Sequence, residues 1–570
     1  MGCCIGAEHN DWCAEYDIVY VDAAGKEYCI FHAPADCKFV SKYVEGAGEK
    51  PGFISGEDFN TLVFARIQCV IDAGEGGYKS LLTRAQIRIE LGKSIKTNKV
   101  VLFDWYPKCD FAGTIFFANI SFSEFNGDKG KYLPSIKFNF SQFHGVVYFS
   151  SSQFRGYAHF CHCQFQSSVY FSSSEFWGIA DFISTEFWGG ADFNLSQFQN
   201  YAYFRSSQFR DSVNFSEGCF KKVFFENAVS LKKINFKCST FEDSIFDNMC
   251  FKGAVFFDEA WFLGQSSFKN TIFYDYSNFE KAEFYGEVNF KHALFKEWTY
   301  FRNVTFDDKT SFAGTISKET ILIEATDLTN LSLVETNIES FKFIECEWDK
   351  DKYGINCVYD EVEQKELGTK NSTLEEIYRR LKKVSRESSD EVQTSDWHYK
   401  EKEMKRIGIN DTTPLPNIHS SVIVASLLAV GHILANYGCA SSLALVGFIA
   451  ILGFYIIFLW NDILASKNWF SKIYLNVYYW ISGYGEKPER ALIAFVVLLF
   501  PIVFLVGVLF GPPEVGFQDR WLWYLPLVKY ELAEGTVIPK LSYFMKGVCY
   551  LLLSLQAALF AFALRNKLRR

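Results

Sequence analysis

Residues 1–30 of this 570-residue chain hold no apolar run, so no secretory signal peptide is expected there. No nucleophile–histidine–acid constellation and no phosphate-cradling loop is present, and the nine histidines are scattered. Both absences point away from an enzyme. The stretch 104–347 is dominated by Phe, Ser, Gly and Asn rather than by the Ala, Leu, Glu and Lys that favour helix. That excludes the right-handed helical supercoil an 11-residue period would otherwise suggest. The unbroken period of two of a long strand is missing as well. The same stretch is not basic: it carries 21 Lys/Arg against 30 Asp/Glu, an excess that accounts for the net charge of −9 of the whole chain. No nucleic acid is expected as a partner.

What fills this stretch is phenylalanine. Rings stand at 176, 182, 187, 193 and 198, and the alternation of five- and six-residue steps runs from Phe143 to Phe220 and again from Phe257 to Phe312. Between them a looser patch reads Phe225, Leu231, Phe236, Phe241, Phe246 and Phe251. An aliphatic continuation passes through Leu328, Leu333, Ile338 and Phe343. Two residues before each ring stands a small one: Ala158, Ala180, Ala191 and Ala202, or Ser152, Ser174, Ser196 and Ser207. One large and one small side chain, two apart, share one side of a strand. A short strand, a corner and another short strand, repeated, describe a β-solenoid. The rings are its core, which leaves the exterior for function.

This pattern resembles the Phe-rich branch of the pentapeptide-repeat family over roughly 111–343, where more than twenty units keep the spacing. The resemblance implies a right-handed quadrilateral β-helix with its central residues stacked inside. Some members of that family resemble DNA and occupy DNA-binding enzymes. The mild charge bias and the scattered lysines make that role a poor match here.

Four regions follow: an N-terminal α+β cap over 1–100, the solenoid over 101–348, a charged helical linker over 349–416 and a membrane domain over 417–570. In the linker, Ser372 and Thr373 precede Glu375 and Glu376 by three residues, a capping-box pattern. Ile377, Leu381 and Val384 give that helix one apolar face, and Pro414 would end the next one. Tyr378, Leu381, Lys382, Trp397, Tyr399, Glu401, Glu403 and Met404 are similar to the linker of a membrane-anchored group in the same family. We expect a solvated helical hairpin there.

Val422–Tyr437, Leu443–Trp460, Leu492–Gly511 and Gly547–Leu564 are apolar runs long enough to span a bilayer, the first being the shortest. Lys400, Lys402, Lys405 and Arg406 precede them, Lys467, Lys472, Lys487 and Arg490 divide the second from the third, and Arg565, Lys567, Arg569 and Arg570 follow. The positive-inside rule then puts both termini and the solenoid in the cytoplasm, where 16 cysteines are not read as disulfides. His432 lies within the first span, where an intramembrane histidine is a functional candidate by position and a polar contact inside the helix bundle is the preferred reading. The Gly483–Tyr484–Gly485 motif is not a potassium filter. It lies on the cytoplasmic side, without the Thr–Val of a filter. With Trp480, Pro488 and Arg490 it is similar to a juxtamembrane segment of the same family group.

In the N-terminal region, "YCIFHAPADCK" holds the pair Cys29 and His32, with Cys3, Cys4, His9, Cys13 and Cys37 nearby. Thiolate and imidazole at this spacing suit four-coordinate zinc, and Cys3, Cys13, Cys29 and His32 are the candidate ligands. No second Cys–x–x–Cys completes the motif, and buried cysteines packed as small hydrophobes are the alternative. Gly2 is not read as a myristoylation site, because Gly6 stands where Ser or Thr is needed. The expected function is a membrane-anchored scaffold whose rod contacts an unidentified protein, and homo-oligomers are compatible with it. The competing class is a channel or transporter regulated by the rod.

Overall fold

The computed structural model describes residues 3–5, 13–14, 16–44, 48–71, 108–126, 132–412, 469–484, 487–494, 496, 503, 506, 523–524 and 540–568. The chain divides into two compact units, Met1–Asp349 and Lys350–Arg570.

In the first unit, short strands stack in parallel, coil upon coil, in sheets of 10, 11 and 16 strands. Gln164–Phe165 pairs with Gln142–Phe143 on one side and Glu186–Phe187 on the other, in register and 22 residues apart. The 16-stranded sheet includes two neighbouring faces joined through the longer strands Gln197–Tyr203, Cys219–Phe224 and Thr240–Ile245. The solenoid therefore has four faces.

The rings fill the interior. Along the axis they lie parallel: Phe176 and Phe198 have centroids 4.6 Å apart at 1°, and Phe182 and Phe204 4.9 Å apart at 1°. Across the axis they meet edge to face, as Phe182 and Phe193 do at 5.6 Å and 88°. This herringbone lets each ring edge meet a neighbouring ring face, the favoured geometry of aromatic quadrupoles. Coil spacing in a parallel sheet is about 4.8 Å, so one ring per strand fills each column. The small partners do more than leave room. The hydroxyls of Ser174, Ser196 and Ser207 donate to the carbonyls of Phe149, Phe171 and Phe182, at 2.6, 2.7 and 2.6 Å. Buried serine is thus satisfied by the neighbouring coil.

The looser patch has a corner as its cause. From Phe176 to Ala180 the inward positions of adjacent faces are four residues apart. From Phe220 to Val223 and from Phe241 to Ser244 they are three apart, and the strand runs straight through. One expectation is corrected here. The inward residue between Phe209 and Phe251 is Ser230, fully buried, whereas Leu231 is 39% exposed. The five- and six-residue steps continue through Ser230, a polar residue that hydrophobic spacing alone passes over.

The aliphatic continuation is inward: Leu328, Leu333 and Ile338 are buried. At the other end, strands Ile18–Val21 and Glu27–Cys29 pair antiparallel, as do Phe39–Val44 and Gly48–Phe53. A helix over 56–71 follows, its start capped by the Ser55 hydroxyl, which accepts from the Asp58 N–H at 3.1 Å. Phe59, Val63 and Ile67 line one face of it and are buried. Phe59 meets Phe116 of the first coil at 6.0 Å. The helix closes an end of the ring columns that water would otherwise reach.

In the second unit, helices Asn371–Glu387 and Glu391–Thr412 form a hairpin, the latter ending just before Pro414. No side-chain cap forms at its start, contrary to the capping-box expectation. Glu375 and Glu376 instead pair with Arg379 and Arg380 one turn on. Nor is the hairpin simply solvated. Tyr378 stacks on Trp397 at 5.7 Å, and Lys382 pairs with Glu401. Lys400, buried, reaches Asp351 at 3.0 Å and Glu361 at 2.8 Å. The helix Trp469–Ser482 and the turn after it pack on the hairpin: Ile355, Tyr399, Leu475 and Tyr484 form one buried cluster. Gly483 (φ +53°) and Tyr484 (φ +59°) take the left-handed conformation that swings the Tyr484 ring inward, where its hydroxyl accepts from Arg406 Nε at 3.0 Å.

Lys540–Leu568 is one helix, and Lys540–Arg565 within it is long and apolar enough to cross a membrane. It is the one such helix among the described residues, and Phe544, Leu551 and Leu555 on it are exposed. The expected spans Val422–Tyr437 and Leu443–Trp460, and most of Leu492–Gly511, lie outside the described residues.

Candidate metal centre

Three stretches of the cap converge on one point. Cys29 ends a strand and opens a tight turn, in which the N–H groups of His32 and Ala33 donate to the Cys29 carbonyl at 3.1 and 2.9 Å. The Cys–x–x–His spacing therefore presents both side chains from a single turn. Cys3 and Cys13 come from the chain before the first strand, and all four residues are buried.

The sulfurs of Cys3, Cys13 and Cys29 lie 3.2, 3.5 and 3.2 Å from His32 Nδ1. The four ligand atoms all lie within 4.8 Å of one another. A tetrahedral zinc with bonds of about 2.3 Å to sulfur and about 2.0 Å to nitrogen would space its ligands by about 3.5–3.8 Å. The cluster needs only small side-chain shifts to reach that geometry. On the far side of the ring, Nε2–H donates to the Ala112 carbonyl at 2.9 Å. That bond fixes the tautomer and leaves the Nδ1 lone pair facing the sulfurs, as a ligating histidine requires.

The four groups share their protons unequally. Hydrogen bonds from Cys13 and Cys29 pull the Cys3 thiol down towards thiolate, while its role as a donor pushes Cys13 up. Burial alone would lower the His32 pKa, but the Cys29 and Cys3 sulfurs outweigh it and raise it to about 9. Lys38 is buried in the same cap, and burial pulls its amine down to about 7. Its Nζ donates to the carbonyls of Ile30 and Phe31, the latter at 2.9 Å.

Of the cysteines considered from sequence, the four candidates Cys3, Cys13, Cys29 and His32 come together. Cys37 does not join them and donates to Asp36 instead. Cys4 is outside the cluster, and His9 is outside the described residues. Ala112 and Lys38 carried no local signal: one contributes a backbone carbonyl 80 positions away in sequence, and the other reads as an ordinary surface lysine.

With the geometry in place, comparison with known proteins adds one result. Residues 268–316 match the family described as pentapeptide repeats, in nine copies. The rod is a pentapeptide-repeat solenoid. No curated protein matches the chain.

Proposed function

We propose that this protein is a membrane-anchored scaffold, with a pentapeptide-repeat rod that contacts proteins and a zinc ion that staples its cap. The observation that carries the reading is the filled interior. Stacked rings leave no room inside the rod for a substrate, so recognition falls to side chains on its four faces. The apolar helix Lys540–Arg565 supports anchoring. The three clusters of Lys and Arg flanking the apolar runs favour a multi-pass topology with the rod in the cytoplasm.

Zinc is the metal that three thiolates and one imidazole suit. A divalent ion with this ligand set leaves one negative charge in excess, and buried Lys38 offers the opposite charge within the cap. Bound there, zinc would tie the segment before the first strand to the turn at 29–32. His32 would carry that restraint to Ala112 at the first coil.

Photo-cross-linking of the full-length chain in its membrane tests the scaffold reading. A photoreactive residue is placed at Tyr148, Trp177, Ile245 or Ile316, one on each face. Reproducible protein adducts from at least one face are expected. Adducts from none would overturn it. Reporter fusions after Gly438 and Lys472 test the topology, with opposite sides of the membrane expected.

A further inference from the structure

The ten-stranded face of the rod changes character half-way along. In its early coils the outward positions are largely polar: Gln142 and His144, Gln164 and Gln166, then Glu186 and Trp188. From Val229 onward one outward column reads Val229, Cys250, Ile272, Leu294 and Ile316. The other, two residues further along each strand, reads Leu231, Lys252, Tyr274, Lys296 and Lys318. Ile316 is 61% exposed, and Leu231 and Tyr274 are 39% exposed. Across these strands no outward position is a carboxylate, on a rod with an excess of them.

Some cations elsewhere on the rod pair with a carboxylate one coil away, while others, Lys233 and Lys269 among them, do not among the described residues. Arg205 meets Glu226 at 2.9 Å, Lys222 meets Asp243 at 3.0 Å and Arg302 meets Glu324 at 2.8 Å. Among the described residues, Lys252, Lys296 and Lys318 form no ion pair; Lys296 lies 3.4 Å from the Tyr274 ring centroid instead.

The strip has the footprint of one helix. Outward side chains two apart on a strand are about 7 Å apart, and five strands at about 4.8 Å span about 19 Å. A helix laid along the axis is about 10 Å across and rises about 5.4 Å per turn, nearly in step with the strands. An apolar ridge at i, i+3/i+4 and i+7 would set one side chain over each strand.

Charge separates the occupants. A second copy, face to face, would oppose lysines with no carboxylate on the strip to answer them. A broad anionic surface such as a bilayer would also meet Asp275, Glu297 and Glu319, which stand exposed at the corner beside the lysine column. A single helix, about 10 Å across, lies along the strip and meets those carboxylates only at its edge. We propose that the Val229–Ile316 strip binds an amphipathic helix of a partner protein, with its apolar ridge on the aliphatic column and an acidic flank over Lys252, Lys296 and Lys318. This rests on the scaffold reading and gives the partner its chemistry.

The test uses the purified full-length chain and a fluorescent helical peptide of about 15 residues with a leucine ridge and a glutamate flank. Saturable binding by anisotropy is expected. It should weaken by about tenfold or more when the flank is lysine, or when the chain carries Leu294→Glu or Lys296→Glu. Gln164→Glu, on the polar half of the same face, should leave it unchanged. The lysine-flanked peptide should regain affinity for a Lys296→Glu, Lys318→Glu chain, which separates charge recognition from a folding defect. No binding, or binding indifferent to flank charge, overturns the proposal. So does binding to anionic-lipid vesicles, or self-association lost in Leu294→Glu, in place of peptide binding. If the peptide fails while cross-linked adducts form on another face, this proposal falls and the scaffold reading stands.

Discussion

His32 and Ala112 are joined by a hydrogen bond of 2.9 Å from the imidazole Nε2–H to the backbone carbonyl, and this bond sets which ring nitrogen faces the three sulfurs. It also makes any metal at the cluster a fastener between the cap and the first coil. The purified full-length chain, prepared without chelator, should carry about one zinc per chain, and the paired change Cys29→Ala and His32→Ala should remove it. Cobalt substitution should give the visible absorption of a tetrahedral thiolate site. Metal well below one equivalent would return the four residues to the role of buried core.

Metal removal should act locally. Because the ring columns do not depend on the cluster, chelation should expose the cap to protease while the coils beyond stay protected. Equal protection of the cap with and without chelator would refute the staple.

Phe193 lies between Phe171 and Phe215, each 4.8 Å away, and is fully buried. Phe193→Ala should cost about 3–5 kcal/mol, and Phe193→Asp should prevent the rod from folding, because its carboxylate has no partner there. Gln197 is exposed, and Gln197→Lys should change stability by less than about 0.5 kcal/mol. Circular dichroism melts of the three variants decide the register.

Ser196 should be less sensitive than the ring beside it. Its hydroxyl bonds the Phe171 carbonyl at 2.7 Å, and that carbonyl also accepts from the Ser174 N–H at 3.0 Å. Ser196→Ala should therefore cost only about 1 kcal/mol. Ser196→Leu, which forces volume against packed rings, should cost about 1–3 kcal/mol. The order of the two melts checks this.

Lys400 holds two carboxylates in a buried setting, and Lys400→Met should destabilise the second unit by about 3–5 kcal/mol. The pH dependence has a definite sign. Burial works against ionised Asp351, but the Ile355 N–H and Lys400 outweigh it, and its pKa falls below 3.8. Its contribution is thus present above about pH 4 and lost as pH falls through the lowered value. Burial also opposes the Lys400 charge, but Glu361 and Asp351 raise its pKa above 10.5. That contribution holds below pH 10.5 and fades as pH rises through the raised value. Melts across pH should show both edges in the wild type and blunted edges in Lys400→Met.

Hydrophobic spacing made most of the rod legible before any coordinates, because a solenoid repeats one local rule and Phe obeys it at 176, 182, 187 and 193 alike. It misread Leu231, where the rule is kept by the polar Ser230 and the apolar residue points outward. The capping box failed because the helix starts earlier, at Asn371, which puts Ser372 and Thr373 inside its first turn rather than at the cap. All four cluster residues were named from the sequence, but only two of them by a local spacing. Cys29 and His32 share a turn and so a local spacing, but Cys3 and Cys13 are brought in by tertiary folding. Tyr484 was visible as part of a motif, yet its burial against Tyr399 depends on a helix more than 70 residues earlier.

Strict register between coils makes the rod a ruler with a fixed graduation. Phe165 and Phe187 occupy equivalent places in successive coils. Excising the 22 residues 166–187 would therefore join Phe165 to Trp188 with every remaining column intact. The rod would shorten by about 4.8 Å, and each surviving surface would keep its pattern. Removing 11 residues instead would turn every face beyond the cut half-way round the axis. Reach and orientation can thus be set independently, by whole coils for one and half coils for the other. A scaffold of this kind can be lengthened or re-aimed without inventing a new surface.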